Sequence, residues 1–166
     1  FTFFFDPSQW WALNSTETLL SMNHSGPGSF FYNNSACHLN SHALYYGSGL
    51  TPSDFADIYL FPHLGINNPN WESGYLDIND GSAMLSLTLR EMVKLGQLYL
   101  QNGFSGDNQI LSSDWISRAT TSQVTTGETE EYGSLSDYGY LWWLPNEEGS
   151  FYAAQGLGGQ IIAVFP

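Results

Sequence analysis

Tyr32 and Asn34 form a Tyr-x-Asn within Phe30-Phe31-Tyr32-Asn33-Asn34-Ser35, at the mouth of a helix candidate. A phenol with its ordinary pKa near 10 is a poor base at neutral pH, and a neighbouring cation would favour phenolate. Alone, Tyr-x-Asn is a weak signal, and a packed tyrosine in a turn is its plainer reading. His38 and His42 stand four apart on one face of the same helix, where two imidazoles could share a metal. No His-Glu-x-x-His accompanies them, and ordinary helix histidines are the plainer reading, so no metal site is assigned. Cys37 is most simply a small apolar residue. Asp77-Ile78-Asn79-Asp80-Gly81 has the composition of a calcium loop but misses its register and its closing Glu, which predicts an Asx-rich turn. Gly156-Leu157-Gly158-Gly159 is not followed by Lys-Ser/Thr and is no phosphate loop. No serine sits in a Gly-x-Ser-x-Gly elbow, and the only lysine, Lys94, has Glu91 rather than Ser three residues before it.

These residues need elements to hold them. A helix is predicted to follow Ser35, through Ala36, Leu39, Ala43 and Leu44 to the glycines at 47 and 49. Thr51 as N-cap, Pro52 at the first helical position and Asp54 in the first turn open the next, with Phe55, Ile58 and Tyr59 as its apolar face. Residues 66–87 are rich in Asn, Gly, Asp and Ser and read as a long loop. Thr88 with Glu91 makes a capping box, followed by Leu89, Met92, Val93, Gly96 and Tyr99 at helical spacing, with Gly103 as the glycine stop. Ser112 or Ser113 caps a short helix through Trp115, Ile116 and Ala119. Residues 122–137 are polar and acidic, a surface loop whose charge, like that of Glu147 and Glu148, is solvated. Aromatic and β-branched residues then predict strands at 138–144, 150–154 and 160–165, the last two joined by Gly156–Gly159 as a hairpin. The first thirty residues are irregular, with one short helical candidate and strong turn punctuation at Gly26-Pro27-Gly28.

Composition narrows the partners. The 166 residues hold 3 Lys+Arg against 16 Asp+Glu, a net charge of −13, so nucleic acid is excluded as a partner and an anionic membrane surface is disfavoured. An apolar fraction of 42% and an aromatic fraction of 16% give material for a folded core and argue against disorder. One cysteine precludes an internal disulfide. No apolar run approaches the roughly 18–20 residues of a membrane-spanning helix.

Four stretches in order carry a resemblance: Pro27-Gly28 through Tyr32-Asn33-Asn34 and on to His38-Leu39; Leu60-Phe61-Pro62-His63-Leu64-Gly65-Ile66; Leu87 through Met92, then Gly96 to Gly103, Gln109 to Ser112 and Trp115; and Tyr138 through Trp143, then Ala153 to Gln160. In these the chain resembles the C-terminal part of serine hydrolases of the β-lactamase and penicillin-binding-protein superfamily. The likeness is to the class C-like branch of esterases, D-amino-acid peptidases and aminohexanoate-oligomer hydrolases. It covers most of residues 27–166.

The resemblance implies an α+β class, a fragment of the β-lactamase-like fold with a helical region over 1–120 and antiparallel strands over 138–166. It implies an acyl-enzyme mechanism on an ester or amide, with no metal or organic cofactor. Tyr32 matches the general base and acid, and Asn34 the asparagine that positions the family's lysine or a substrate amide. The strand-edge motif, usually Lys-Thr-Gly or His-Thr-Gly, is matched by Ala153-Ala154-Gln155-Gly156-Leu157-Gly158-Gly159, where only backbone N–H donation from Gly156 or Leu157 survives. That moves the expectation towards an esterase or amidase and away from an efficient β-lactamase. The family's Ser-x-x-Lys lies upstream of Tyr-x-Asn, so the remainder of the same protein is the expected partner, and the chain alone is expected to be inactive. Family habit points to the periplasm or the outside of the cell; the sequons at Asn14, Asn23 and Asn33 arise readily by chance in a chain rich in Asn and Ser. The alternatives are a β-lactamase-like binding or regulatory protein without catalysis, and an unrelated α+β binding module.

Overall fold

The first helix owes its start to Asn33, whose extended backbone and side-chain oxygen, accepting the Ser35 amide at 2.7 Å, cap helix α1, Asn34–Ser48. The helix therefore begins earlier than the sequence pattern predicts, because the cap is the asparagine next to Tyr32. Gly49 ends it in the left-handed region, at φ 74°, donating its amide to Tyr45 O. The structure is a computed structural model that describes residues 30, 32–126, 135–145 and 151–166. The helical candidate in the first thirty residues, Pro27-Gly28, the sequons at Asn14 and Asn23, and the acidic stretch 127–134 lie outside the described residues. What is described divides into two compact units between Ser86 and Leu87.

In the first unit α1 buries His38, Ser41 and His42, and leaves Ala36 and Ala43 exposed. The face turned inward is polar. Helix α2, Pro52–Tyr59, starts as predicted at Thr51, whose hydroxyl accepts the Asp54 amide. It buries Pro52 and Ala56 while Ile58 and Tyr59 stay exposed. A 3-10 turn at Pro62–Leu64 brings Phe61, Leu64 and Ile66 into the core. The stretch read as a long loop holds a short antiparallel pair, β1 (Asn70–Trp71) with β2 (Leu85–Ser86). Between them the chain dips inward at Ile78, Asn79 and Asp80. Asn79 accepts the Ser53 amide and donates to Trp71 O, and the Trp71 indole donates to Asp80 O, so the excursion is pinned to Ser53 and Trp71.

In the second unit the capping box of Thr88 and Glu91 is present at the head of helix α3, Leu89–Leu100. Asn102, rather than Gly103, takes the left-handed position next to its C-terminal cap. A small hairpin of β3 (Phe104–Ser105) and β4 (Asn108–Gln109) leads to helix α4, Ser113–Ala119, capped by Ser112. A five-stranded antiparallel sheet follows in the order β5 (Val124–Thr125), β6 (Asp137–Tyr138), β7 (Trp143–Leu144), β8 (Tyr152–Gln155) and β9 (Ile161–Val164). Two predictions are corrected here. Val124-Thr125, placed in the surface loop, is the outer strand of this sheet. The single strand predicted over 138–144 is a tight hairpin: Gly139 donates to Trp142 O and Leu141 turns at φ 66°. The reason lies at Gly139, where a Cβ would stand 2.1 Å from the Ala119 carbonyl oxygen. That carbonyl accepts the Tyr140 amide, so the end of α4 docks on the turn and bends the run.

Ala119, Trp142, Leu144, Tyr152 and Val164 form the core of this unit, with Tyr99, Tyr140, Ala154 and Ile162 against it. The rings of Tyr99 and Trp142 stand 4.5 Å apart and those of Trp142 and Tyr152 5.1 Å. The chain is thus α+β, with helices and antiparallel sheets in the order the resemblance implies.

Candidate active site

Tyr32 sits two residues ahead of α1 and is half-buried, with the Cys37 thiol close enough to act on its ionisation. Burial first, and Cys37 second, push the phenol above its ordinary value. The thiol is itself pushed up by burial and then by the Asp80 carboxylate. Both influences on Tyr32 favour the protonated phenol. Asn34 opens α1 as its first residue and is exposed. Tyr32 and Asn34 flank the Asn33 cap.

Gly156 and Leu157 belong to the second unit, in the turn between β8 and β9. The strands pair from Tyr152↔Val164 to Gln155↔Ile161. Gly159, at φ 82°, donates to Gly156 O, and the Gly156 amide donates to Gln160 O at 2.8 Å. The Leu157 side chain is fully exposed.

Sequence reasoning missed one cluster. His38 and His42 are helix histidines, and both are buried, with rings edge to face and Nε2 atoms 3.2 Å apart. Asp80, also buried, places Oδ1 3.6 Å from His38 Nδ1, and the Gly81 amide donates to the same nitrogen at 3.4 Å. Gly81 lies so close to α1 that a Cβ there would stand 2.4 Å from Ser41 Oγ and 2.7 Å from Cys37 O. Asp80 accepts from the Ser82 amide and hydroxyl, the Asx-type turn predicted for this segment. Among the described residues no group of three or more His, Cys, Asp and Glu side chains is arranged to hold a metal ion. The four-residue spacing of the histidines was visible in the sequence; Asp80, far along the chain, was not.

No protein-family description and no curated protein matches this sequence. Solved structures do. A candidate 6-aminohexanoate-dimer hydrolase from Bacillus anthracis superposes with a TM-score of 0.70 at 25% identity, over 87% of this chain and 38% of that one. A candidate β-lactamase from Bacteroides dorei DSM 17855 superposes with a TM-score of 0.74 at 18% identity, over 93% of this chain and 52% of that one. The fold is that of the β-lactamase and penicillin-binding-protein-like serine hydrolases, of which the chain spans a part. Among the described residues no helix is long and apolar enough to cross a membrane.

Proposed function

We propose that the complete protein is a serine hydrolase that cleaves an ester or amide bond through an acyl-enzyme. The observation that carries this reading is Tyr32-Asn33-Asn34 at the capped start of α1, within a β-lactamase-like fold. In the proposed reaction a serine hydroxyl, from a Ser-x-x-Lys in the remainder of the same protein, attacks the acyl carbon. Tyr32 takes the serine proton and passes it to the leaving oxygen or nitrogen; water then releases the acyl group by the reverse relay. Burial raises the Tyr32 phenol here, so the base needs the ammonium of that lysine to become phenolate. Asn34 positions the lysine or a substrate amide. Backbone N–H donation to substrate is assigned to Gly156 or Leu157 at the β8–β9 turn, where the Gly156 amide donates to Gln160 O. No Lys or His stands at 153–159 to recognise a carboxylate, which favours an ester or simple amide over a lactam acid. The reaction needs neither metal nor organic cofactor, and the compartment we assign is the periplasm or the cell exterior.

A second reading, a binding or regulatory relative without catalysis, is favoured by one observation: the influences on Tyr32 in this chain raise its pKa rather than lower it. A fluorophosphonate probe on the complete protein separates the two. Stoichiometric labelling of the Ser-x-x-Lys serine is expected, and its absence from the folded complete protein rejects the enzyme.

A further inference from the structure

The inward face of α1 is built from polar groups that the proposed reaction leaves unused. His38 and His42 are 1% and 3% exposed, with their Nε2 atoms 3.2 Å apart. Two lone pairs, or two N–H bonds, cannot face one another at that separation, so one ring donates and the other accepts. His38 Nδ1 accepts the Gly81 amide, which assigns the proton of neutral His38 to Nε2, from which it is donated to His42. Asp80 Oδ1, held by Ser82 at 2.8 and 2.6 Å, stands 3.6 Å from His38 Nδ1. A proton added to His42 Nε2 sets N–H against N–H and places a buried imidazolium beside His38. Asp80 faces the pair from the loop; Cys37 and Tyr46 lie alongside on α1, and Tyr32 lies next to Cys37. Burial keeps the thiol and the Tyr32 phenol protonated, so neither adds a compensating charge.

We propose that Asp80, His38 and His42 are positioning residues: their network fastens the 79–82 loop to α1 and fixes its first turn, hence Tyr32 and Asn34, until a proton on His42 releases it. The positioning role rests on the reading of Tyr32 as the base. Gly81 supplies the close fit, since its Cα leaves no room for a side chain against Ser41 and Cys37. The His42 imidazole is held below its ordinary value, by burial first and by His38 second. A group whose folded value is depressed binds its proton more readily in the unfolded chain. Its stabilisation is therefore complete above the unfolded value of about 6.5 and declines as pH falls below it.

The test follows unfolding equilibria and kcat of the complete protein from pH 7.5 to 5, in wild type, His42→Gln and Asp80→Asn. Gln can still accept from His38 Nε2 but takes no proton. Below about pH 6.5 the wild type is expected to lose up to about tenfold more in its folding constant per pH unit than His42→Gln. The acid limb of kcat is expected to move to lower pH in His42→Gln and to higher pH in Asp80→Asn, which has lost the compensating charge. Superimposable pH dependences in wild type and His42→Gln overturn the proposal, and so does a stability change with no movement of the kcat limb. If His42→Gln does not fold, an unmoved limb in Asp80→Asn is decisive against it. The two readings fail separately, because unfolding is followed without substrate and tests the network even if Tyr32→Phe keeps its turnover.

Discussion

Gly81 and Gly47 offer the same substitution with opposite expected signs. In Gly81→Ala the new methyl would stand 2.4 Å from Ser41 Oγ and 2.7 Å from Cys37 O, well inside van der Waals contact. The serine hydroxyl can rotate away, but the Cys37 carbonyl belongs to the backbone of α1 and cannot. The loop must therefore back off, stretching the Gly81–His38 contact, already 3.4 Å, and loosening the pinned segment at Asn79 and Asp80. Overpacking of this kind costs about 1–3 kcal/mol. Gly47, near the end of α1, has nothing within 4 Å of its added Cβ. There alanine restricts the unfolded chain and suits the helix, so Gly47→Ala should stabilise by up to about 1 kcal/mol. Urea unfolding followed by circular dichroism reads both, with an unchanged slope confirming that only stability has moved. A Gly81→Ala midpoint at or above that of Gly47→Ala would refute the packing argument for the loop on α1.

Gly139→Ala should destabilise the second unit by about 1–3 kcal/mol, because its Cβ would meet the Ala119 carbonyl at 2.1 Å; a wild-type melting temperature would contradict the docked hairpin. Tyr152 supplies an alkaline prediction: burial, and then Tyr99, push its phenol up to about 12. A raised folded value means that its stabilisation is complete below the unfolded value of about 10 and is lost as pH rises through 12. Ultraviolet titration should show a late-ionising tyrosine that disappears in Tyr152→Phe; an unchanged titration curve would exclude the assignment.

The helix starts were legible because they are local. Thr51, Thr88 and Ser112 each satisfy an amide within three or so residues of themselves, and all three cap as predicted. The turn at 156–159 was legible for the same reason. The hairpin at 139–142 was not, since the Ala119 carbonyl that bends it is supplied from another element; only Gly139 within an aromatic run hinted at it. The strand Val124-Thr125 was hidden by its polar neighbours, because an edge strand of two residues carries almost no alternation of its own. For the candidate site, Tyr32, Asn33 and Asn34 are contiguous and could be read directly. The polar inward face of α1 was missed because spacing alone assigns apolar residues to the core, whereas His38 and His42 are buried by satisfying each other and a loop that arrives from residues 79–82.

The most direct test of the account is the turnover of the complete protein carrying Tyr32→Phe, measured alongside its melting temperature. The change removes one hydroxyl and keeps the ring, so folding should be nearly unaffected. If Tyr32 moves the proton, kcat should fall by about 10²- to 10⁴-fold, and Asn34→Ala should cost less. Near-wild-type turnover in a stably folded Tyr32→Phe protein would contradict the central claim, and a lowered melting temperature with full activity per folded molecule would make Tyr32 a packing residue.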